Sequence, residues 1–172
     1  MRFILFFLLS LLAGCEQQQA IIPAEGDAAK PVHGDTFIEA SIGEPNNLLP
    51  VLSSDSASSD INRLVYNGLI RYDKNLQLEG ELAESWEISE DNLTITFHLR
   101  RNVTWHDGAP FTSDDVLFTY ELYINPEVPT SYAEDFLQVA KAEAVDPYTF
   151  RVTYEKPYAP ALGSWGTSIH PK

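Results

Sequence analysis

The sequence predicts a mixed α/β (α+β) domain, a sheet with short helices, behind a leader and a tether. Three stretches carry that prediction. "LTITFHLR" alternates completely: Leu93, Ile95, Phe97 and Leu99 on one face, Thr94, Thr96, His98 and Arg100 on the other. That is the period of a half-buried strand. "FTSDDVLFTYELYI" opens on a capping residue and runs on with apolar periodicity, as a helix start does. "MRFILFFLLSLLAGC" sets a positive end before an apolar run and small residues, the anatomy of a secretory leader.

The leader is expected to occupy residues 1–14. Its apolar run from Phe3 to Ala13 is broken only by Ser10 and is too short for a membrane span, which needs about 20 residues. "LAGC" resembles the lipobox of bacterial lipoproteins, in which the cysteine becomes the first mature residue and carries acyl chains. That resemblance makes Cys15 the expected lipidation site and membrane anchor. Acyl chains contribute about 0.8 kcal/mol per buried CH₂, and two or more hold stably. Cys15 is the single cysteine, so no intrachain disulfide is possible. Residues 15–35 then read as the lipidated cysteine and a flexible tether, rich in Gln, Ala, Gly and Pro. As a coil, residues 16–34 have a reach of roughly 24 Å.

The folded part is expected over 36–172. "TFIEASI" reads as a strand, and "GEPNNLLPVLSSDSASSD" as a long loop. "INRLVYNGLI" sets Ile61, Leu64 and Val65 at helical spacing, with Asp60 as its cap and Gly68 as a stop. In "ELAESWEIS" Leu82, Trp86 and Ile88 share strand parity, and Glu84 breaks it. "EDN" suits a hairpin, since Asn92 tolerates a positive φ. Strand-like "NVTWH" leads into the turn "DGAPFT", where Asp107 bonds nearby backbone N–H groups. Thr112 and Asp115 form a variant capping box, and Asp114 and Asp115 sit in the first turn, where each carboxylate is worth about 0.3–1 kcal/mol. Val116, Leu117, Tyr120 and Tyr123 or Ile124 give this helix its apolar side.

Composition limits the function. With 172 residues, 44% hydrophobic and 12% aromatic, the chain can bury a core. Its net charge of −14 repels phosphate backbones, so nucleic acid is not an expected partner. "TWHDGAPFTSDDV" resembles an active site in composition, but its aspartates have structural work and His106 alone cannot form one. A lipid-anchored metallohydrolase would have to bring His98, His106 and Asp107 to metal distance, and no HExxH motif is present. No catalytic residue, metal or cofactor is therefore expected. A purely structural lipoprotein is the remaining bland alternative.

"LVYNGLIRYD", followed by "ELAESWEISEDNLTITFHLRRNVTWHDGAPFTSDDVLFTYE", resembles the bacterial family 5 solute-binding proteins of ABC importers, which bind oligopeptides, dipeptides or nickel. The likeness runs from about Thr36 to Lys172, and 82–120 is its most specific part. Asn92 and Asn102 stand where the family commonly has glycine, both at turns. The resemblance implies the N-terminal portion of a type II periplasmic binding protein-like fold, with the second lobe further along than this chain runs. It implies a monomer on the periplasmic or other extracytoplasmic face that hands a peptide or related small solute to an ABC permease. It also places Ser54, Asp55 and Ser56 in a loop lining the cleft, Tyr132 near a cleft tyrosine, and Ser164 and Trp165 where the chain returns toward the cleft. For the first three a plain surface loop is the competing reading. For Tyr132 and Trp165 it is ordinary packing.

Overall fold

Alternation along "TITFHL" produces the strand at the centre of the molecule. In the computed structural model, which describes Gly34, Ile38, Ala40 and residues 42–172, Ile95, Phe97 and Leu99 are buried. They belong to β4 (Thr94–Leu99) of a four-stranded antiparallel sheet ordered β3–β4–β6–β5. Its other members are β3 (Ala83–Ile88), β5 (Val139–Asp146) and β6 (Thr149–Tyr154). A two-stranded hairpin, β1 (Ile70–Tyr72) with β2 (Leu78–Gly80), stands apart. Strands of three residues carry too little periodicity to be read from sequence. Ala40–Lys172 forms one compact unit. The leader, Cys15 and all of the tether except Gly34 lie outside the described residues. Among the described residues no helix is long and apolar enough to cross a membrane.

Glu84, the residue that breaks the parity of β3, marks a bulge. The β3–β4 register shifts between Ala83 and Ser85, and an extra residue there turns every later side chain to the other face. The β3–β4 turn is as expected, with Asn92 at φ 58°. Asp91 accepts the Leu93 N–H at 3.0 Å. In the next turn Asp107 accepts the Ala109 N–H at 2.9 Å, and Gly108 takes φ 89°. "NVTWH" contributes only a single bridge, Thr104 to Pro110.

Helix α2 (Ser113–Ile124) begins as the sequence predicts: the Asp115 carboxylate accepts the Thr112 N–H at 2.8 Å. It lies against β5 and β6. Val116 and Tyr123 are buried, while Leu117 and Tyr120 are partly so. The core between sheet and helix centres on Trp165. Its ring meets Phe150 at 4.9 Å, Phe136 at 5.3 Å and Phe97 at 5.9 Å between centroids. Its indole N–H donates to the Tyr154 hydroxyl at 3.0 Å, and that hydroxyl donates to the Ala161 carbonyl at 2.9 Å. Burial pushes the Tyr154 hydroxyl up to about 12, so it remains a donor.

Helix α1 departs from expectation. It spans Ser56–Val65, so it starts inside the segment read as loop. The cap is Asp55, not Asp60: its carboxylate accepts the Ser58 N–H at 2.8 Å and the Ser58 hydroxyl at 2.6 Å. These bonds hold the Asp55 carboxyl below its usual range. The residues turned inward are not the apolar ones expected. Ala57, Ser58 and Asn62 are buried, whereas Leu64 is 74% exposed and Ile61 and Val65 are exposed as well. Gly68 is no helix stop. It lacks a left-handed φ, and a Cβ there would lie 2.7 Å from the Gly166 backbone, so it serves a close crossing. The strand expected at 36–42 falls partly outside the described residues. Ile38 and Ile42 lie in no strand and are exposed.

Candidate functional site

The Gly68–Gly166 crossing sets the end of α1 against the 3₁₀ turn Gly163–Gly166. The Leu69 N–H donates to the Trp165 carbonyl and the Ile169 N–H to the Asn67 carbonyl, both at 2.9 Å. Two adjoining concavities open above this junction. The larger, about 550 Å³, is walled by Tyr66, Arg71, Tyr72 and Leu78. The smaller, about 190 Å³, is walled by Ser53, Asn62, Tyr123 and Tyr132. Arg63, Gly166 and Ser168 line both, so the two share a border. The larger lies within the ordinary range of small-ligand pockets, roughly 300–1,000 Å³.

One face of α1 and its cap supplies much of the lining. Ser59, Asn62, Arg63 and Tyr66 stand at i, i+3, i+4 and i+7, the spacing of a single helical stripe. Hydrogen bonds hold this stripe in place. The Asn62 amide donates to the Ser53 hydroxyl at 3.1 Å, and that hydroxyl donates to the Pro50 carbonyl at 3.1 Å. Tyr132 donates its hydroxyl to the Ser53 carbonyl at 3.2 Å, and its ring meets Tyr123 edge-on at 6.1 Å. Thr167 donates to the Tyr123 hydroxyl at 2.9 Å. Burial pushes that phenol up to about 12, so it stays neutral. On the opposite wall Arg71 is held by Glu79 at 2.7 Å and faces Glu81 at 3.8 Å. The bond from Glu79 raises the Arg71 guanidinium above its usual value. Glu81 in turn accepts the Gly68 N–H at 2.9 Å, so it works for the crossing.

The residues expected at a cleft separate in space. Tyr132 lines the smaller concavity. Ser54 and Ser56 are exposed on either side of the helix cap, next to Ser53, while the Asp55 carboxylate is engaged in capping. Ser164 donates its hydroxyl to the Pro160 carbonyl at 3.2 Å and lines a neighbouring hollow with Ala159 and Leu162. Trp165 is 0% exposed. The expectation of a ligand wall at Trp165 is therefore corrected: its aromatic neighbours enclose it completely, and the competing reading as packing applies. Trp86 and Trp105 pack against the core. His98 stands 3.5 Å from Glu87, and His106 is exposed on its turn. Among the described residues no three His, Cys, Asp or Glu side chains gather as metal ligands would.

Sequence reasoning missed Arg63, Tyr66, Arg71 and Tyr72. One signal was available. "RLVYNGLIRY" places two arginines and two tyrosines within ten residues of a chain that has only 11 cationic residues. His170 was also missed. It is 3% exposed, with its Nε2 unpartnered, and its ring lies 5.4 Å from Tyr66.

Comparison with known proteins places this geometry. Residues 77–170 match the family model described as bacterial extracellular solute-binding proteins, family 5 Middle. The chain is 32% identical to the heme-binding protein A of Haemophilus influenzae, over 91% of this chain and 32% of that protein. It is 30% identical to the oligopeptide-binding protein AppA of Bacillus subtilis, over 98% of this chain and 31% of that protein. The chain thus spans about a third of the length of the curated relatives it matches. Among solved structures, NikZ of Campylobacter jejuni in complex with Ni(L-His) superposes with a TM-score of 0.69 at 35% identity, covering 76% of this chain and 26% of that one. AppA of B. subtilis in complex with a nonapeptide gives 0.70 at 28% identity, covering 77% and 27%. The mixed α/β fold is that of the type II periplasmic binding proteins, and the chain belongs to family 5 of the bacterial extracellular solute-binding proteins.

Proposed function

We propose that this chain is part of the substrate-binding component of an ABC importer, which captures a peptide or related small solute outside the cytoplasmic membrane and delivers it to the permease. The observation that carries this reading is the pair of adjoining concavities, one walled by Tyr72 and the other by Tyr132. Together they set tyrosine and leucine walls beside hydroxyl and amide groups and two arginines, Arg63 and Arg71. Such a surface binds through fit and hydrogen bonds and needs no nucleophile. The functions of relatives agree with it: AppA is an oligopeptide-binding protein, and GsiB of Salmonella typhimurium, 30% identical over 79% of this chain, is a glutathione-binding protein. Deleting the gene in its host and following uptake of labelled di- to pentapeptides tests the reading. Uptake of at least one class should fall and return when the gene is restored. Unchanged uptake of peptides and other small solutes, in cells shown to make the protein, would refute it.

Cys15 is proposed as the lipid anchor, on the strength of "LAGC" closing an apolar run. Cys15→Ala should leave an unprocessed precursor or release protein from the membrane. Processing and membrane retention like the parent's would contradict the anchor.

A further inference from the structure

Building on the reading of the concavities as a ligand site, we infer that Thr119 is a positioning residue for that site: from inside α2 it fixes the segment that carries the shared border of the two concavities. That segment, 166–172, supplies Gly166 and Ser168 to both concavities and Thr167 to the smaller. Residues 168–172 belong to no helix or strand. Without a regular ladder, their course depends on what their backbone N–H groups meet. Two of these groups end on side chains of α2. The His170 N–H donates to the Thr119 hydroxyl at 2.8 Å, and the Lys172 N–H to the Asp115 carboxylate at 3.0 Å. The Thr167 hydroxyl donates to that of Tyr123 at 2.9 Å. Asp115, Thr119 and Tyr123 stand at i, i+4 and i+8, one stripe of the helix, and they meet Lys172, His170 and Thr167 in reverse order. The segment thus runs antiparallel along α2, gripped at three points.

Thr119 is the middle grip and the one that acts on the segment alone. Asp115 also caps the helix, and Tyr123 itself walls the smaller concavity. Thr119 is buried and lines neither concavity. Its hydroxyl donates to the Asp115 carbonyl at 2.8 Å, one turn back, which leaves its lone pairs for the His170 N–H. What this bond holds reaches both walls. The His170 ring lies 5.4 Å from that of Tyr66, a wall of the larger concavity, and 6.2 Å from that of Tyr123, a wall of the smaller. His170 is itself buried, so a shift of its backbone has no free space to dissipate in. Such a shift displaces the support of both tyrosines and Ser168 between them.

Thr119→Val keeps the shape of the side chain and leaves the buried His170 N–H without its acceptor. The cost of such an unpaired group is enough to lower the held arrangement to about a tenth of the population, and apparent affinity falls with that population, about tenfold. Calorimetry on the full natural protein with a mixed di- to pentapeptide pool should show this loss in Thr119→Val and in Thr119→Ala, a second variant without the hydroxyl. Thr119→Ser, which restores the hydroxyl, should bind close to the parent. Val152→Ala opens a cavity in the sheet at a residue that lines neither concavity, so it should lower the melting temperature and leave affinity unchanged. Hydrogen exchange reads the grip without a ligand: the Ile169 and His170 amides should exchange faster in Thr119→Val, with the β4 and β6 amides as in the parent. Parent-like affinity in the two variants without the hydroxyl, or a loss that Thr119→Ser shares, overturns the inference and leaves the proposed function standing. Unchanged exchange at Ile169 and His170 overturns it in the same way. A parent protein that binds nothing in the pool removes the peptide reading and this inference with it.

Discussion

Replacing Asp115 with Asn should destabilise the domain by about 2–3 kcal/mol, several times the effect of the same change one residue earlier. Asp115 is 7% exposed and has a partner on each carboxylate oxygen. Oδ2 accepts the Thr112 N–H at 2.8 Å, and Oδ1 accepts the Lys172 N–H at 3.0 Å. A hydrogen bond to a charged acceptor contributes about 1.5–3 kcal/mol. Asparagine keeps one acceptor at neutral strength, but its NH₂ meets the other N–H donor to donor. Loss of one bond and weakening of the other give the stated cost. Asp114 is the control. Its side chain is 62% exposed, and its nearest cation, the Lys172 Nζ, is 3.9 Å away. Only the helix dipole and a screened pair act on it, so Asp114→Asn should cost about 0.5 kcal/mol. Urea unfolding at neutral pH measures both, with m-values compared so that a change in the unfolded state is not mistaken for lost stability. If Asp115→Asn costs no more than Asp114→Asn, the carboxylate acts only on the dipole. The argument from paired buried hydrogen bonds then fails.

Three further outcomes follow from the same geometry. Gly68→Ala should cost about 2 kcal/mol or more, because its Cβ would sit 2.7 Å from the Gly166 carbonyl and neither backbone can yield cheaply; an unfolding midpoint equal to the parent's would contradict this. Trp165→Phe should cost about 2–4 kcal/mol from the lost bond to Tyr154 and the space left among Phe97, Phe136 and Phe150, measured by thermal or urea melts. Burial lowers His170 below its ordinary 6.5, so between its folded value and about 6.5 the unfolded chain binds a proton that the folded chain does not. Stability from this group is therefore complete above about pH 6.5 and is lost as pH falls toward the folded value. Urea midpoints from pH 5 to 8 should slope more steeply in the parent than in His170→Gln, and equal slopes would remove the assignment.

The β3–β4 hairpin and the start of α2 were legible because each signal there is local, whereas β5 and β6 were not read. Alternation over six residues fixed the buried face of β4, and "TSDD" fixed the start of α2. Even the broken parity at Glu84 had local meaning, since a bulge is where parity must break. What was not legible depended on contacts distant in sequence. β1 and β2 pair with each other but are only three residues long. Gly68 owes its role to Gly166, 98 positions later, and Trp165 owes its burial to rings brought in by β4, β6 and the Ala133–Asp135 turn region. Of the residues placed at the cleft in advance, Tyr132 lines a concavity. Asp55 and Trp165 are occupied by structural work.

Helix α1 explains why the site itself was hard to read. Spacing groups residues onto a face, but it does not say which face turns inward. Hydrophobicity picked Ile61, Leu64 and Val65, whereas the fold buries Ala57, Ser58 and Asn62 and lines the concavities with Ser59, Asn62, Arg63 and Tyr66. The choice is physically sound because the inward polar groups have fixed partners: Asn62 on Ser53, Ser58 on Asp55 and Ser53 on Pro50. A buried polar group with its hydrogen bond made carries little penalty, whereas the same group unpaired costs about 1–3 kcal/mol. Capping by Asp55 sets the phase of the helix, and the phase decides that Arg63 faces the concavity while Leu64 faces water. The serine-rich run that looked like a loop at the cleft thus acts one step earlier. By starting the helix at Ser56 it aims the next two turns at the concavities, so changes at Asp55 should alter the orientation of Asn62, Arg63 and Tyr66.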